Sequence, residues 1–396
     1  MANAVLLEFP DFNLYSTPLL ILVLQGLIFA FLLLHKYKQK GSVSYLLLAL
    51  ILFIVCFHRT TYTIGFMDWY DTFRNTKINY YLISLSLIFV PLIYFYVRSI
   101  TVSDFRFKRN DVWHFIPGIL YVSIRLFILG YDASQPGFEA TQNGYLVQNF
   151  QWKYLDPFVT GISYVQEVVY LVLTLQIYYA YRSNIQQYFS NAYSLELNWI
   201  RNFLFIYAAL FVYGLFQTIV DLAITDLSWM QRWWLQFLNA LAIIYIGVKG
   251  YFTDTDKLRG LSFDGNKGVQ ESKPILEKLS ISEEMAQKVL LLTVYMETEK
   301  PYLDAELNLI TLSRKRNLSR AELSEIINSG LGKNFNDFVN GYRVDAVKQM
   351  LNEGKQEQLS LLGIALECGF NSKATFNRVF KKLANVSPSE YSNMDV

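Results

Sequence analysis

The sequence is poor in cysteine, histidine and charged residues, and each shortage excludes a class of site. Its two cysteines, Cys56 and Cys368, lie far apart, so they form neither a disulfide framework nor a zinc site of the usual ligand spacing. The three histidines, His35, His58 and His114, all precede residue 253. Charged residues make up only 17% of the chain and the net charge is +2, which excludes a chain that is polybasic throughout and binds nucleic acid by charge alone.

Charge is also unevenly distributed along the chain. Hydrophobic residues make up 53% and aromatic residues 16% of the 396 residues, far from an average soluble composition. The first 252 residues contain 16 Lys and Arg and 13 Asp and Glu, whereas the last 144 contain 19 and 20. The sequence therefore predicts a membrane part followed by a soluble part.

Seven apolar segments in the first part are long enough to cross a bilayer, whose hydrocarbon core takes about 20 residues of helix. They are roughly Thr17–Leu34, Val43–Ile64, Ile78–Val97, Val112–Leu129, Phe158–Tyr181, Trp199–Ile224 and Trp233–Val248. We therefore predict an all-α fold in which residues 1–252 form a seven-transmembrane-helix bundle with a sensor role.

Basic residues in the links between these segments predict the orientation of the bundle. The first, third and fifth links carry most of them, namely Lys36, Lys38, Lys40, Arg98, Arg106, Lys108, Arg109, Arg182 and, at the edge of the next segment, Arg201. The remaining links carry only Arg74, Lys77, Lys153 and Arg232. Because Lys and Arg are in excess on the cytoplasmic side, the pattern predicts a multi-pass protein of the cytoplasmic membrane, with its N-terminus outside and its C-terminal domain in the cytoplasm.

The fourth link contains Asn143-Gly144 between residues of alternating character. This dipeptide is the strongest short signal for a β-hairpin. We therefore predict an extracellular hairpin that covers the outer end of the bundle.

Other seven-helix functions find little support in the residues. A retinal protein needs a lysine near the middle of its last span, whereas Lys249 lies at the end. A sensor histidine kinase needs a cytoplasmic phosphoacceptor histidine, and none follows the last span. The sequence contains no P-loop, dinucleotide glycine fingerprint or His-Glu-x-x-His motif. We therefore predict no enzyme activity, no cofactor and no metal site.

Polar side chains in the outer half of the predicted spans are the candidate sensing residues. They are Arg125, Glu167, His58, Arg59, Gln217 and Asp221. Such residues are costly in hydrocarbon and usually face a bundle interior or a wet cavity. Two interpretations stay open: a cavity for a small-molecule or lipid signal, in which Glu167 pairs with Arg125 when the site is empty, or local structural pairing.

A polar, glycine-containing stretch over residues 253–282 separates the two parts. It lacks apolar periodicity, which is typical of a flexible linker. We predict that a signal from the bundle crosses this linker to reach a domain over residues 283–396.

Apolar spacing in that domain predicts two short helix pairs joined by a longer helix. In the first pair, the helix Leu309–Lys315 precedes a second helix that Ser319 caps, with Glu322 at the capping-box spacing. The outer face of this second helix carries Arg320, Ala321, Ser324 and Glu325.

The connecting helix spans roughly Phe335–Leu351, and the second pair begins with Leu361–Leu366. The last helix places Phe376 and Phe380 in the core. Its predicted exposed set is Lys373, Thr375, Asn377 and Arg378. Helix-turn-helix units present such residues to the major groove, and two units on one face of the duplex need about 34 Å between entries.

Residues 369–382, GFNSKATFNRVFKK, closed by Ser387-Pro388-Ser389-Glu390-Tyr391, resemble the C-terminal signature of the AraC/XylS family of transcription regulators. The resemblance covers about residues 302–391, including Phe335-Asn336-Asp337-Phe338 and Tyr342-Arg343. It implies a double helix-turn-helix that reads two adjacent major grooves. By position, it implies groove contacts by Ala321, Ser324 and Glu325 in the first unit, and by Lys373, Thr375, Asn377 and Arg378 in the second.

These observations predict a membrane-integrated one-component regulator that senses an extracytoplasmic or membrane signal and binds double-stranded promoter DNA. A homodimer would raise the specificity of so small a module, although no heptad seam indicates one. The alternative is a seven-helix transporter or membrane enzyme whose helix-turn-helix domain binds a protein instead of DNA.

Overall fold

The described part of the chain is mostly helical. The computed structural model describes residues 10–77, 83–102, 105–253 and 283–393. Within these ranges the only β-type pairing is in isolated bridges, and no strand forms. The predicted all-α class is confirmed. The predicted linker lies outside the described residues except for Thr253.

Two compact units divide the chain. The first comprises Met1–Tyr178 and Asn198–Phe263, and the second comprises Tyr179–Leu197 and Asp264–Val396. The longer helices that begin in the first unit are α1 (Ser16–Lys40), α2 (Val43–Gly65), α4 (Ser86–Thr101), α5 (Ile116–Ser134), α6 (Asp156–Tyr188), α7 (Asn198–Ala223) and α8 (Trp229–Phe252), with a single turn α3 (Trp69–Thr72). The last ten residues of α6 are assigned to the second unit.

In the described part of the chain, six apolar helical stretches are long enough to cross a membrane, and they correspond to six of the seven predicted segments. The remaining predicted segment starts at Ile78. The corresponding helix, α4, begins only at Ser86 and has 16 residues, and residues 78–82 lie outside the described residues. The fourth predicted segment also begins late, because Arg109–His114 forms a 3-10 helix before α5.

Helix α2 is central in the first unit, since it packs against α1, α4 and α8. The approach of α1 to α2 depends on Gly26. A Cβ atom at this position would lie 2.5 Å from Cys56 Sγ, closer than van der Waals contact allows. The thiol of Cys56 is buried and lies 3.5 Å from the Val23 carbonyl oxygen.

The predicted hairpin at Asn143-Gly144 is wrong. Instead, these residues precede a helical segment that includes a π-helix over Val147–Leu155. The Asp132 carboxylate accepts hydrogen bonds from the backbone N–H groups of Leu146 (2.9 Å) and Val147 (3.1 Å). A carboxylate that satisfies the first N–H groups of a helix stabilises its start, so this contact overrides the local turn preference.

Gly144 is needed for that contact. A Cβ atom there would lie 2.2 Å from Asp132 Oδ2. The glycine therefore serves the close approach of a carboxylate and not a hairpin turn.

The second unit contains the predicted helix pairs at nearly the predicted bounds. Its helices are α9 (Glu283–Glu299), α10 (Leu309–Lys315), α11 (Arg320–Glu325, continued by a π-helical turn over Ile326–Gly330), α12 (Phe335–Asn352), α13 (Leu361–Glu367), α14 (Lys373–Ala384) and α15 (Pro388–Ser392). Two apolar cores contact opposite ends of α12. Leu323, Ile326 and Phe335 lie in one core, and Phe376 and Phe380 in the other.

Candidate DNA-binding interface

The first helix pair is set by two polar caps. The Asn308 side chain accepts a hydrogen bond from Thr311 N at 3.0 Å and so starts α10. The Ser319 hydroxyl accepts one from Glu322 N at 3.1 Å and starts α11, as the sequence predicts. The Glu322 carboxylate lies 3.5 Å from Lys288 Nζ of α9, which ties the pair to the preceding helix.

Residues on the outer face of α11 are mostly accessible. Arg320, Ala321 and Glu325 are exposed. Ser324 is half-buried, and its hydroxyl accepts a hydrogen bond from Asn328 Nδ2 at 3.0 Å. The face therefore presents one cation, one anion and two small side chains.

The second pair differs from its predicted pattern at one position. Ser372 caps α14 by accepting a hydrogen bond from Thr375 N (3.2 Å), and its hydroxyl donates to Thr375 Oγ1 (2.9 Å). Thr375 is consequently buried, and its predicted exposure is wrong. The physical reason is that a residue three positions after a cap turns back toward it. Lys373 and Asn377 are exposed as predicted.

Arg378 is half-exposed and already has partners. Its Nη2 lies 3.3 Å from Glu196 Oε2, and its guanidinium lies 4.0 Å from the centroid of the Tyr193 ring. Both partners belong to the segment Tyr179–Leu197 of the second unit. Sequence reasoning identified Arg378 but not these partners.

Arg343 is the buried polar centre of the unit, and sequence reasoning gave it no role. It is 1% exposed. It donates hydrogen bonds to the carbonyl oxygens of Tyr302 and Asp304, both at 2.8 Å, and to Asn340 Oδ1 at 3.2 Å. Burial lowers the pKa of Arg343 to about 10, which still leaves it charged at neutral pH. Its place four residues after Val339, on the core face of α12, was the available signal.

Gly369 allows this arrangement at the turn before α14. It has φ +87°, and a Cβ atom would lie 2.3 Å from the Tyr302 carbonyl oxygen and 3.0 Å from Arg343 Nε. A side chain at this position would both strain the backbone and displace an acceptor of Arg343.

Comparisons with known proteins agree with this geometry. A model of the helix-turn-helix domain matches residues 312–394, which run from within α10 past α15. The C-terminal region is an AraC-type helix-turn-helix domain.

Two regulators are similar to the AraC-type domain. An uncharacterized HTH-type transcriptional regulator of Haemophilus influenzae is 36% identical over 80 residues, which is 20% of this chain and 26% of that protein. The probable transcription factor PqrA of Proteus vulgaris is 33% identical over 81 residues, 20% of this chain and 64% of that protein. The chain thus spans less than two thirds of the length of either relative. No solved structure matches the chain.

Outside the AraC-type domain, the six predicted sensing residues fall into three groups with separate local partners. In the first group, Arg125 Nη1 donates to the Tyr121 hydroxyl at 2.7 Å and lies 3.6 Å from Asp156 Oδ1. Arg125 therefore forms an ion pair with Asp156 and not with the predicted Glu167. Glu167 lies beside the hydroxyl of Tyr207.

The second group joins α2 to its neighbours. His58 Nε2 accepts a hydrogen bond from Leu85 N at 2.7 Å, and Arg59 donates to Gln236 of α8. An apolar cavity of about 400 Å³ adjoins this group and is lined by Leu27, Cys56 and Leu85 among others.

The third group closes the turn between α7 and α8. Asp221 Oδ1 lies 2.5 Å from Arg232 Nη2 and accepts from Leu227 N at 2.8 Å. Gln217 Nε2 donates to the Gln231 carbonyl oxygen at 3.3 Å. The structure thus does not gather the six residues into one pocket.

Proposed function

We propose that the protein is a membrane-integrated one-component transcription regulator that binds promoter DNA sequence-specifically and responds to an extracytoplasmic or membrane signal. One juxtaposition supports this function: the described residues of a single chain include six membrane-length apolar helices and an AraC-type domain. No phosphotransfer step is needed, because the input and output units are covalently joined.

DNA binding is assigned to α11 and α14. These are the second helices of the two pairs, whose N-terminal parts enter the major groove in helix-turn-helix proteins. Lys373, Asn377 and Arg378 supply hydrogen-bond donors on α14, and Arg is the residue that reads guanine O6 and N7 with two donors. Helix α12, with 18 residues, is about 27 Å long at 1.5 Å per residue and sets the separation of the two groove entries.

Selection of duplexes from a random pool by the full-length protein in lipid nanodiscs tests this function. We expect enrichment of sites with two conserved blocks about one helical turn apart. The full chain is preferable to residues 283–396 alone, since Ser190 contacts buried residues of α12. Recovery of no shared sequence at physiological salt, where non-specific contacts weaken, would contradict the function.

Membrane placement leads to a topology prediction. A reporter fused after Val396 should be active only in the cytoplasm, and one placed at the N-terminus only outside. The basic residues concentrate in alternate links, and the proposal counts α4 as a seventh crossing beside the six longer helices. Alkaline phosphatase and green fluorescent protein fusions make the measurement. Export of the C-terminal reporter would contradict the whole proposal, since the chromosome would be out of reach.

Signal recognition is assigned to the Arg125 group, which is Arg125 with its partners Tyr121 and Asp156. A carboxylate or phosphate of the signal could replace Asp156 beside the guanidinium, since charge-assisted pairs of this kind are strong and directional. The Arg125→Gln protein should insert and bind DNA normally, yet its promoter output should not change when pooled carboxylates or phosphates are added outside. The measurement is a reporter fused to a selected site.

Arg232→Gln is the matched control for that variant. It breaks another Arg–Asp pair of the first unit and should retain the response. A normal response of Arg125→Gln, or an equal loss in the control, would remove the Arg125 group from signal recognition.

A further inference from the structure

The segment Tyr179–Leu197 belongs to the second unit, although the residues on both sides of it in the sequence, up to Tyr178 and from Asn198, belong to the first. It consists of the end of α6 and a 3-10 turn over Ala192–Ser194. Several of its residues, including Ile185, Ser190 and Glu196, are 0% exposed. The second unit, which contains the AraC-type domain, therefore includes a segment that ends 86 positions before α9.

Ser190 is the anchor of this segment. Its hydroxyl donates to the Leu307 carbonyl oxygen at 2.6 Å and accepts from Arg343 Nη2 at 3.1 Å. Its carbonyl oxygen accepts from Asn336 Nδ2 (2.7 Å) and Asn340 Nδ2 (3.0 Å) on α12. All of these groups are buried, so each would lose a partner if the segment left.

The segment contacts both helix pairs. Tyr188 packs on the core that contains Leu323 and Phe335, and Tyr193 packs on the core that contains Phe376 and Phe380. Docking of one short segment thus bridges the two halves of the double helix-turn-helix.

Its far end engages a residue of the proposed DNA-binding face. The buried Glu196 carboxylate lies 3.3 Å from Nη2 of both Arg182 and Arg378. Tyr193 supplies an aromatic face to Arg378. Burial raises the pKa of the Tyr193 hydroxyl, and the nearby cations Lys382 and Arg378 oppose this shift. Two cations of α14 therefore lie around the segment.

We propose that the segment Tyr179–Leu197 is an intramolecular competitor of DNA: while it is docked along α12, Glu196 and Tyr193 hold the Arg378 guanidinium, which is then not free to contact a base. The inference rests on the proposed DNA-binding function of α14. Release follows from movement of α6 or α7, because the segment is continuous with both helices in sequence. Such a ligand-driven release needs only that the signal ligand bind the undocked state more tightly than the docked state.

The test compares dissociation constants for a selected duplex, using full-length protein in nanodiscs. Glu196→Gln keeps the shape of the side chain but removes the charge that holds Arg378, and Asn336→Ala removes two hydrogen bonds to the segment without changing α14. Both variants should bind the duplex about tenfold more tightly. Glu353→Gln is the control. Glu353 is exposed at the C-terminal end of α12, so its replacement removes one negative charge away from Arg378 and measures the effect of net charge alone on DNA affinity.

The sign of the change distinguishes competition from a purely structural role, since loss of folding would weaken DNA binding. Unchanged or weaker binding by Glu196→Gln, with α14 still protected from hydrogen exchange, overturns the inference. If Glu196→Gln makes α14 lose its protection from hydrogen exchange, the DNA affinity of Asn336→Ala decides instead. Unchanged or weaker binding by that variant, with α14 protected, overturns the inference. Should Arg378→Ala leave the affinity of every variant unchanged, the proposed function of α14 fails instead.

Discussion

Replacing Arg343 with leucine is expected to lower the free energy of unfolding of the second unit by about 3–5 kcal/mol. The substitution leaves the carbonyl oxygens of Tyr302 and Asp304 and the side chains of Asn340 and Ser190 without their buried donor. Each unsatisfied buried group costs about 1–3 kcal/mol, and relaxation of the site offsets part of the sum. The measurement is hydrogen exchange of α12 peptides by mass spectrometry, because all seven tryptophans lie outside this unit.

Arg314→Leu is the matched control for that substitution. Arg314 is exposed at the end of α10, so its replacement should change stability by about 0.5 kcal/mol or less. The loss of stability in Arg343→Lys should fall between those of the two leucine variants, because an ammonium group keeps the charge but lacks the planar set of five donors. Equal protection of α12 in the Arg343→Leu and Arg314→Leu proteins would show that the buried network contributes little.

The second large effect is expected for Arg378→Ala. If the guanidinium reads a guanine edge, the variant should lose about 1–3 kcal/mol of affinity for the selected duplex and relax preference at one base pair. Because Glu196 holds Arg378 in the docked form, the loss should be larger in an Asn336→Ala background. The measurement is a set of dissociation constants for duplexes substituted at each base pair.

Lys381→Ala provides the comparison. Lys381 is exposed in the last turn of α14, where a phosphate contact is expected. Its replacement should weaken all sequences alike and reduce the slope of affinity against salt by about one. The same uniform loss in Arg378→Ala would assign Arg378 to the phosphate backbone, and no loss in either variant would remove α14 from the interface.

Two connections join the apolar helices to the AraC-type domain, one covalent and the other through non-covalent docking contacts. The sequence predicts only the linker over residues 253–282, which lacks the periodicity of a stiff helix. The segment Tyr179–Leu197 is a second connection, and its docking contacts are buried and hydrogen-bonded. A linker of the predicted flexible kind would transmit little force, so we propose the second connection as the route of signal transfer.

Local features of the fold were predictable from short sequence windows. Ser319 starts α11 as predicted, because a hydroxyl three residues before a backbone N–H can cap it. Ser372 starts α14 by the same spacing, although it was not predicted as a cap. Phe376 and Phe380 face the core because residues four apart share a helix face. A short window also gave the wrong prediction of a hairpin at Asn143-Gly144. The carboxylate that stabilises the helix start there belongs to Asp132, which lies outside that window.

By itself the sequence determined the apolar helices, the helix pairs and the resemblance to AraC-type regulators, because each depends on spacing within a few residues or on a contiguous motif. Only the tertiary structure decided which polar groups meet. Ser190 with Arg343, and Glu196 with Arg378, are pairs separated by 153 and 182 positions. No helical period encodes such a separation, so the partners of a buried charge are set by how the helices pack.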